Sequence, residues 1–158
     1  MGFEVDHRDL SGYLWFMKKI VEQCNDPKKL EIIRQNALDL ADDAFRKMCL
    51  LRAGKRHDQM NADYYQALEA YEWLLKKYVA PTAFASRTRE ALAKRPLIDC
   101  LEEWAGAKTP TKAFDMLVKY GYWDMVAERI IHRYPEHFSA KTLDVARKRL
   151  EGIGRFVV

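Results

Sequence analysis

The stretch Asn61–Val79, NADYYQALEAYEWLLKKYV, decides the fold class. Tyr64, Leu68, Tyr71, Leu75 and Tyr78 recur at intervals of three and four. That spacing lays them along one side of a helix with 3.6 residues per turn. Pro81 closes the helix, because the residue before a proline is pushed out of helical geometry. Working backwards, Asn25-Asp26-Pro27 stops one helix and starts another, with Asp26 as N-cap and Pro27 in the first turn. The helix it opens reaches Leu51. Leu30, Ile33, Ala37, Leu40, Ala44 and Leu51 keep the spacing, and Ala41, Phe45 and Met48 widen the stripe enough to contact more than one neighbour. A first helix, Asp9–Cys24, carries Leu10, Tyr13, Leu14, Met17, Ile20, Val21 and Cys24. Three long helices with short connections predict an antiparallel bundle.

Working forwards, the helices shorten. Arg87–Lys94 forms one, and Pro96 opens another bearing Leu97, Ile98, Leu101 and Trp104. Thr109-Pro110 repeats the cap-then-proline signal for a helix that Gly121 closes. Trp123–Tyr134 follows, broken by Pro135, and Ser139 caps a last helix reaching Glu151. The expectation is an all-α fold, an antiparallel bundle of three long helices followed by a smaller C-terminal subdomain of short helices. It forms one compact domain over 1–158, subdivided into a long-helix part (1–80) and a basic short-helix part (81–158). The seam is placed near Ala80–Ser86 or Gly106–Thr109. Leu40, Phe45, Leu68, Leu75, Leu101, Leu117, Ile130 and Leu150, each central to an apolar stripe, are the predicted core.

Composition fits a globular chain: 158 residues, 49% hydrophobic and 32% charged, with only 7 Gly and 5 Pro. No apolar run approaches the ~20 residues that cross a bilayer. The start, MGFEVDHRDLSG, lacks the basic lead of a signal peptide, and Asp6 stands where a myristoylation motif wants Ser or Thr. Cys24, Cys49 and Cys100 are odd in number and widely spaced, which reads as reduced thiols in a cytoplasmic protein. No metal and no small-molecule cofactor are implied.

The net charge of +4 is unevenly placed. Residues 1–106 hold 17 basic and 17 acidic side chains, whereas 107–158 hold 10 and 6. The stretch Arg46–Arg56 has five bases and no acid, and Lys76–Arg95 has six bases against Glu90. A cationic C-terminal third favours polyanions.

Motifs for catalysis are weak. Asp124, Glu128 and His132 stand four apart and would share a helix face, a spacing metals use but also that of any solvated polar face. Asp39, Asp42 and Asp43 lie within helical reach of Arg46 and Lys47, the usual pairing of an exposed surface. Tyr120, Tyr122 and Trp123 surround Gly121 beside Lys119 and suit a contact surface. Phosphate-binding loops, nucleophile elbows and Cys-x-x-Cys pairs are missing from the sequence. No enzyme is indicated, and no catalytic residue is assigned.

Arg52-Ala-Gly-Lys-Arg-His57 resembles the Arg-x4-His pattern of the HEPN family, helical bundles that include ribonucleases. Gly54 interrupts the stretch, which reads first as a basic inter-helix loop and only second as such a pair. The run Ser139-Ala-Lys-Thr142-Leu-Asp-Val-Ala146-Arg-Lys-Arg-Leu150-Glu-Gly-Ile-Gly154 resembles the recognition-helix segment of GntR-type winged-helix regulators. Ser139 caps, Leu143, Ala146 and Leu150 face inward, and Lys141, Lys148 and Arg149 face out, with Arg147 on the flank. The loop before Ser139 is longer than a helix-turn-helix turn, the tail is short for a wing, and Asp144 would repel phosphate. The resemblance and the charge placement imply a DNA- or RNA-binding helical protein. Its backbone contacts would come from Lys141, Arg147, Lys148 and Arg149, joined by Arg87, Arg89, Lys94 and Arg95. The alternative is a helical scaffold or interaction subunit of a larger assembly, with a protein partner or a homo-oligomer docking on the long helices.

Overall fold

The computed structural model describes the backbone of residues 7–11 and the whole of 12–56 and 58–154. It is all-α. Eight α-helices follow one another among the described residues: α1 (His7–Gln23), α2 (Pro27–Ala53), α3 (Gln59–Tyr78), α4 (Ser86–Lys94), α5 (Leu97–Gly106), α6 (Lys112–Lys119), α7 (Ala127–Arg133) and α8 (Ala140–Gly152). Single 3-10 turns lie at Trp123–Met125 and Pro135–His137. No helix among the described residues is long and apolar enough to cross a membrane.

Local chemistry sets most helix ends. The Asp26 carboxylate accepts from the Lys28 N–H at 2.9 Å, and Asp58 accepts from the Asn61 N–H at 2.8 Å. Each satisfies a donor that the first turn of a helix leaves without an intrahelical partner. Gly121, at φ +88°, ends α6. Its own N–H reaches the Val118 carbonyl, and the Tyr122 N–H reaches Leu117. This paired closure needs a left-handed residue that glycine adopts without steric cost.

The chain separates into two compact units, Met1–Ala44 and Phe45–Val158, and the division falls inside α2. It is not at Ala80–Ser86 or Gly106–Thr109, because α3 shares its core with the short helices. In the second unit α3 packs on α6 and α7, while α8 packs on α7 and α5. Phe45, Cys49, Tyr64, Leu68, Leu74, Leu101, Leu117, Ile130, Ile131 and Leu150 are buried there. Leu75 is half-buried against that core. The first unit contains α1 and the beginning of α2, and Leu40 lies in it 64% exposed. The expectation of a buried Leu40 is therefore wrong. Periodicity identifies an apolar face but not whether a neighbour covers it.

Two further corrections are local. The cap of α6 is Thr111, whose Oγ1 accepts from the Phe114 N–H at 3.1 Å, two residues beyond the Thr109-Pro110 signal. The stretch Trp123–Tyr134 is not one helix. Val126, fully buried, adopts an extended conformation (ψ 153°) and separates the 3-10 turn from α7. Packing of that side chain overrides the local helical pattern.

Candidate interaction surfaces

On α8 the inner face forms as the spacing requires. Ala146 and Leu150 are fully buried and Leu143 is half-buried. Ser139 Oγ accepts from the Thr142 N–H at 3.2 Å, its hydroxyl lies 2.9 Å from Thr142 Oγ1, and the Ser139 N–H donates to Glu102 at 3.2 Å. The Ser-x-x-Thr feature is thus a cap anchored to α5. The tail beyond Gly154 and His57 of the Arg-x4-His pattern lie outside the described residues.

The outer face is less cationic than its sequence. Arg149 is not exposed: its side chain is 10% accessible and pairs at 2.9 Å with Glu128, itself 2% accessible. The same guanidinium donates to the carbonyls of Trp104 (3.2 Å) and Ala107. It fastens α8 to α7 and to the segment after α5. Asp144 gathers Lys148 and Arg147, each at 2.6 Å. Those two cations hold its carboxyl below the ordinary carboxylate range. Only Lys141 of the four α8 cations projects outward with no acidic partner among the described residues.

On α4, Arg89 is also committed. It binds Glu72 through Nε at 2.7 Å and Glu69 at 2.8 Å. Glu72 is buried and also accepts from the Ala85 N–H at 3.1 Å. Burial disfavours its charge, but the Arg89 and Ala85 hydrogen bonds outweigh burial and hold its pKa below the ordinary value. Arg95 pairs with Glu103. Arg87 and Lys94 remain exposed, seven residues apart and so on one side of α4. Of the eight basic residues picked from sequence, Arg87, Lys94 and Lys141 therefore carry no carboxylate partner among the described residues.

The other sequence candidates are dispersed into structure. Asp124 lies in the 3-10 turn rather than on α7 and binds Arg46 at 2.6 Å, while Glu128 binds Arg149, so the Asp124–Glu128–His132 ladder does not form. Glu128 is buried rather than solvated, and burial raises its pKa against the opposing pull of Arg149. Tyr120 stacks on Tyr78 with centroids 4.1 Å apart, and Tyr122 meets Phe45 at 4.7 Å. Trp123, half-buried, lies under Arg129. Tyr120 and Tyr122 pack against the core, so the three aromatics do not form one free platform.

The surface that sequence reasoning missed is apolar. In the first unit Tyr13, Leu14, Trp15, Phe16 and Val21 of α1 are exposed, as are Ile32, Leu38 and Leu40 of α2. Leu14 is 67% and Trp15 63% accessible. Four consecutive residues span about 300° of a helix, so one packed helix of the same chain leaves part of Tyr13–Phe16 uncovered. That run was the available signal, hidden by assigning Tyr13 and Leu14 to an ordinary inward stripe. Scattered exposed apolar residues are normal on a protein surface, whereas these eight are concentrated in α1 and the first part of α2.

Comparison with protein-family models, with curated proteins and with solved structures gives no match.

Proposed function

We propose that the protein is a helical interaction subunit that assembles with a second copy of itself through α1 and residues 27–44 of α2. The observation that carries this reading is the exposed set Tyr13–Phe16, Val21, Ile32, Leu38 and Leu40. A standard interface takes about 800 Å² from each partner, and these eight exposed apolar side chains are the material for one. Affinity does not follow from area alone, so specificity must come from elsewhere.

Charge along α2 supports a two-fold partner. Lys28, Lys29 and Arg34, against the single acid Glu31 that pairs with Arg34, lie at its start, whereas Asp39, Asp42 and Asp43 lie a few residues later with no base among them. Antiparallel pairing of two copies about a point near Asn36 sets the basic end of each against the acidic part of the other. Such an arrangement is self-complementary, as a two-fold interface must be. Parallel pairing would oppose like charges.

Nucleic-acid binding through α8 and α4 has less support, since Arg149 and Arg89 are committed to buried carboxylates. A gel shift that forms at low salt and fades as salt rises would restore it.

Sedimentation velocity tests the proposal. The wild-type chain is expected to be a dimer at micromolar concentration, and Trp15→Glu with Leu40→Glu a monomer of unchanged helicity. Lys28→Glu/Lys29→Glu and Asp42→Lys/Asp43→Lys should each dissociate alone and associate when mixed. A wild-type monomer at about 100 µM, where even weak homodimers associate, would overturn the reading.

A further inference from the structure

We infer that the second unit holds a binding site for an organic anion with an apolar body, in a cavity of about 520 Å³ between α3, α4 and α6. The inference is independent of self-association, because every residue of the cavity belongs to Phe45–Val158.

The cavity has the size of a small-molecule site and the composition of one, mostly apolar with a few polar groups. Phe114, Leu117 and Met125, all buried, form apolar wall, and the exposed Phe84 adds an apolar lip. Two tyrosines of α3 also line it. Tyr64 is 7% and Tyr71 9% accessible, and neither hydroxyl has a hydrogen-bond partner among the described residues. Neither hydroxyl is sealed from water, so both phenols are open to whatever occupies the cavity. Here Tyr64 stacks with Trp104 through its ring, at 5.9 Å between centroids, while its hydroxyl is left over. These two donors, seven residues and so two helical turns apart on α3, border one space and can donate to acceptor atoms of a ligand there.

The sign of the ligand follows from the other polar groups. Arg87 and Lys112 line the cavity, both are exposed, and no Asp or Glu lines it. Each of the two cations sits in the first turn of its helix, α4 or α6. The partial positive charge of those turns adds to that of the side chains. A neutral apolar ligand would leave the two cations unused, and a metal ion would find no carboxylate. A molecule with one acidic group at the mouth and an aromatic or aliphatic body on the apolar wall satisfies the cations, the phenols and the wall together.

Calorimetric titration of the full-length protein with 1-naphthoate and with decanoate tests this, with 1-naphthamide as the neutral counterpart. At least one anion should saturate a single site per chain, and the amide should bind at least tenfold more weakly. Arg87→Gln with Lys112→Gln should weaken the anion at least tenfold and leave the amide unchanged. Both residues are exposed, so the thermal midpoint should hold. Tyr64→Phe and Tyr71→Phe separate ligand binding from packing, since each removes only a hydroxyl. Each should weaken the anion severalfold without lowering the midpoint. No saturable binding of either anion at millimolar concentration overturns the inference, as does equal binding of the amide. A Tyr→Phe pair that loses stability but not affinity also overturns it. Which anion binds more tightly reports whether the body is aromatic or aliphatic.

Discussion

Replacing Arg149 with Ala strands a buried charge. Glu128 is 2% accessible, and Arg149 is its ion-pair partner at 2.9 Å. Breaking such a pair from one side costs about 3–5 kcal/mol, because the remaining carboxylate is neither solvated nor compensated. For a chain of this length that lowers the thermal midpoint by on the order of 10–15 °C. The pH dependence identifies the cause. Burial already raises the Glu128 pKa above its ordinary 4.5, so the folded state binds this proton more tightly than the unfolded state does. Between 4.5 and the raised value, stability therefore falls as pH rises. Removing Arg149 removes what opposes burial, so the falling limb extends to higher pH. The deficit of the variant should be largest at neutral pH and shrink on acidification, as Glu128 becomes neutral. Urea unfolding followed by circular dichroism at several pH values measures it. Arg149→Met with Glu128→Leu should recover most of the loss, since apolar replacement of a buried pair is often neutral. A deficit below about 1 kcal/mol, or one that does not change with pH, would refute the argument. A large deficit that does not change with pH would instead point to the donation to Trp104 and Ala107.

Other outcomes follow from burial and pairing. Leu40→Ala should change the stability of the monomer by less than about 0.5 kcal/mol, as surface substitutions do, while weakening self-association. A loss of 2–5 kcal/mol in dilute urea melts would put Leu40 in a core after all. Glu72, whose pKa is held below its ordinary 4.5, contributes stability that is present above that value and lost as pH falls through the lowered one. Glu72→Gln should flatten this acid limb, and an unchanged limb would assign it to other carboxylates. Thiol titration of the folded protein should find Cys24 reactive and Cys49 and Cys100 slow. Both slow thiols are buried, and burial pushes Cys49 up to about 11 and raises Cys100 as well. In denaturant all three should react, and a count of one would reveal a disulfide.

The sequence alone determined most of the helices and several of their ends. The α3 stripe, the Asp26 cap of α2, the Ser139 cap of α8 and the Gly121 stop of α6 all depend on residues within about five positions of each other. The same local information failed where a side chain's destination lay elsewhere. Val126 broke a regular pattern because its burial required an extended backbone. Leu40 and Leu68 look alike in sequence, yet one is exposed and the other buried, since only the folded chain supplies or withholds the covering neighbour. The cations divide in the same way. Arg149 and Lys148 are adjacent, but Arg149 meets a carboxylate 21 residues away on α7, while Lys148 meets Asp144 one turn back. The Tyr64–Tyr71 cavity draws its walls from residues between Tyr64 and Ala127 on several helices, so no short stretch of sequence contains it. Helix formation is set by neighbours along the chain, whereas exposure, pairing and cavity formation are set by neighbours in space.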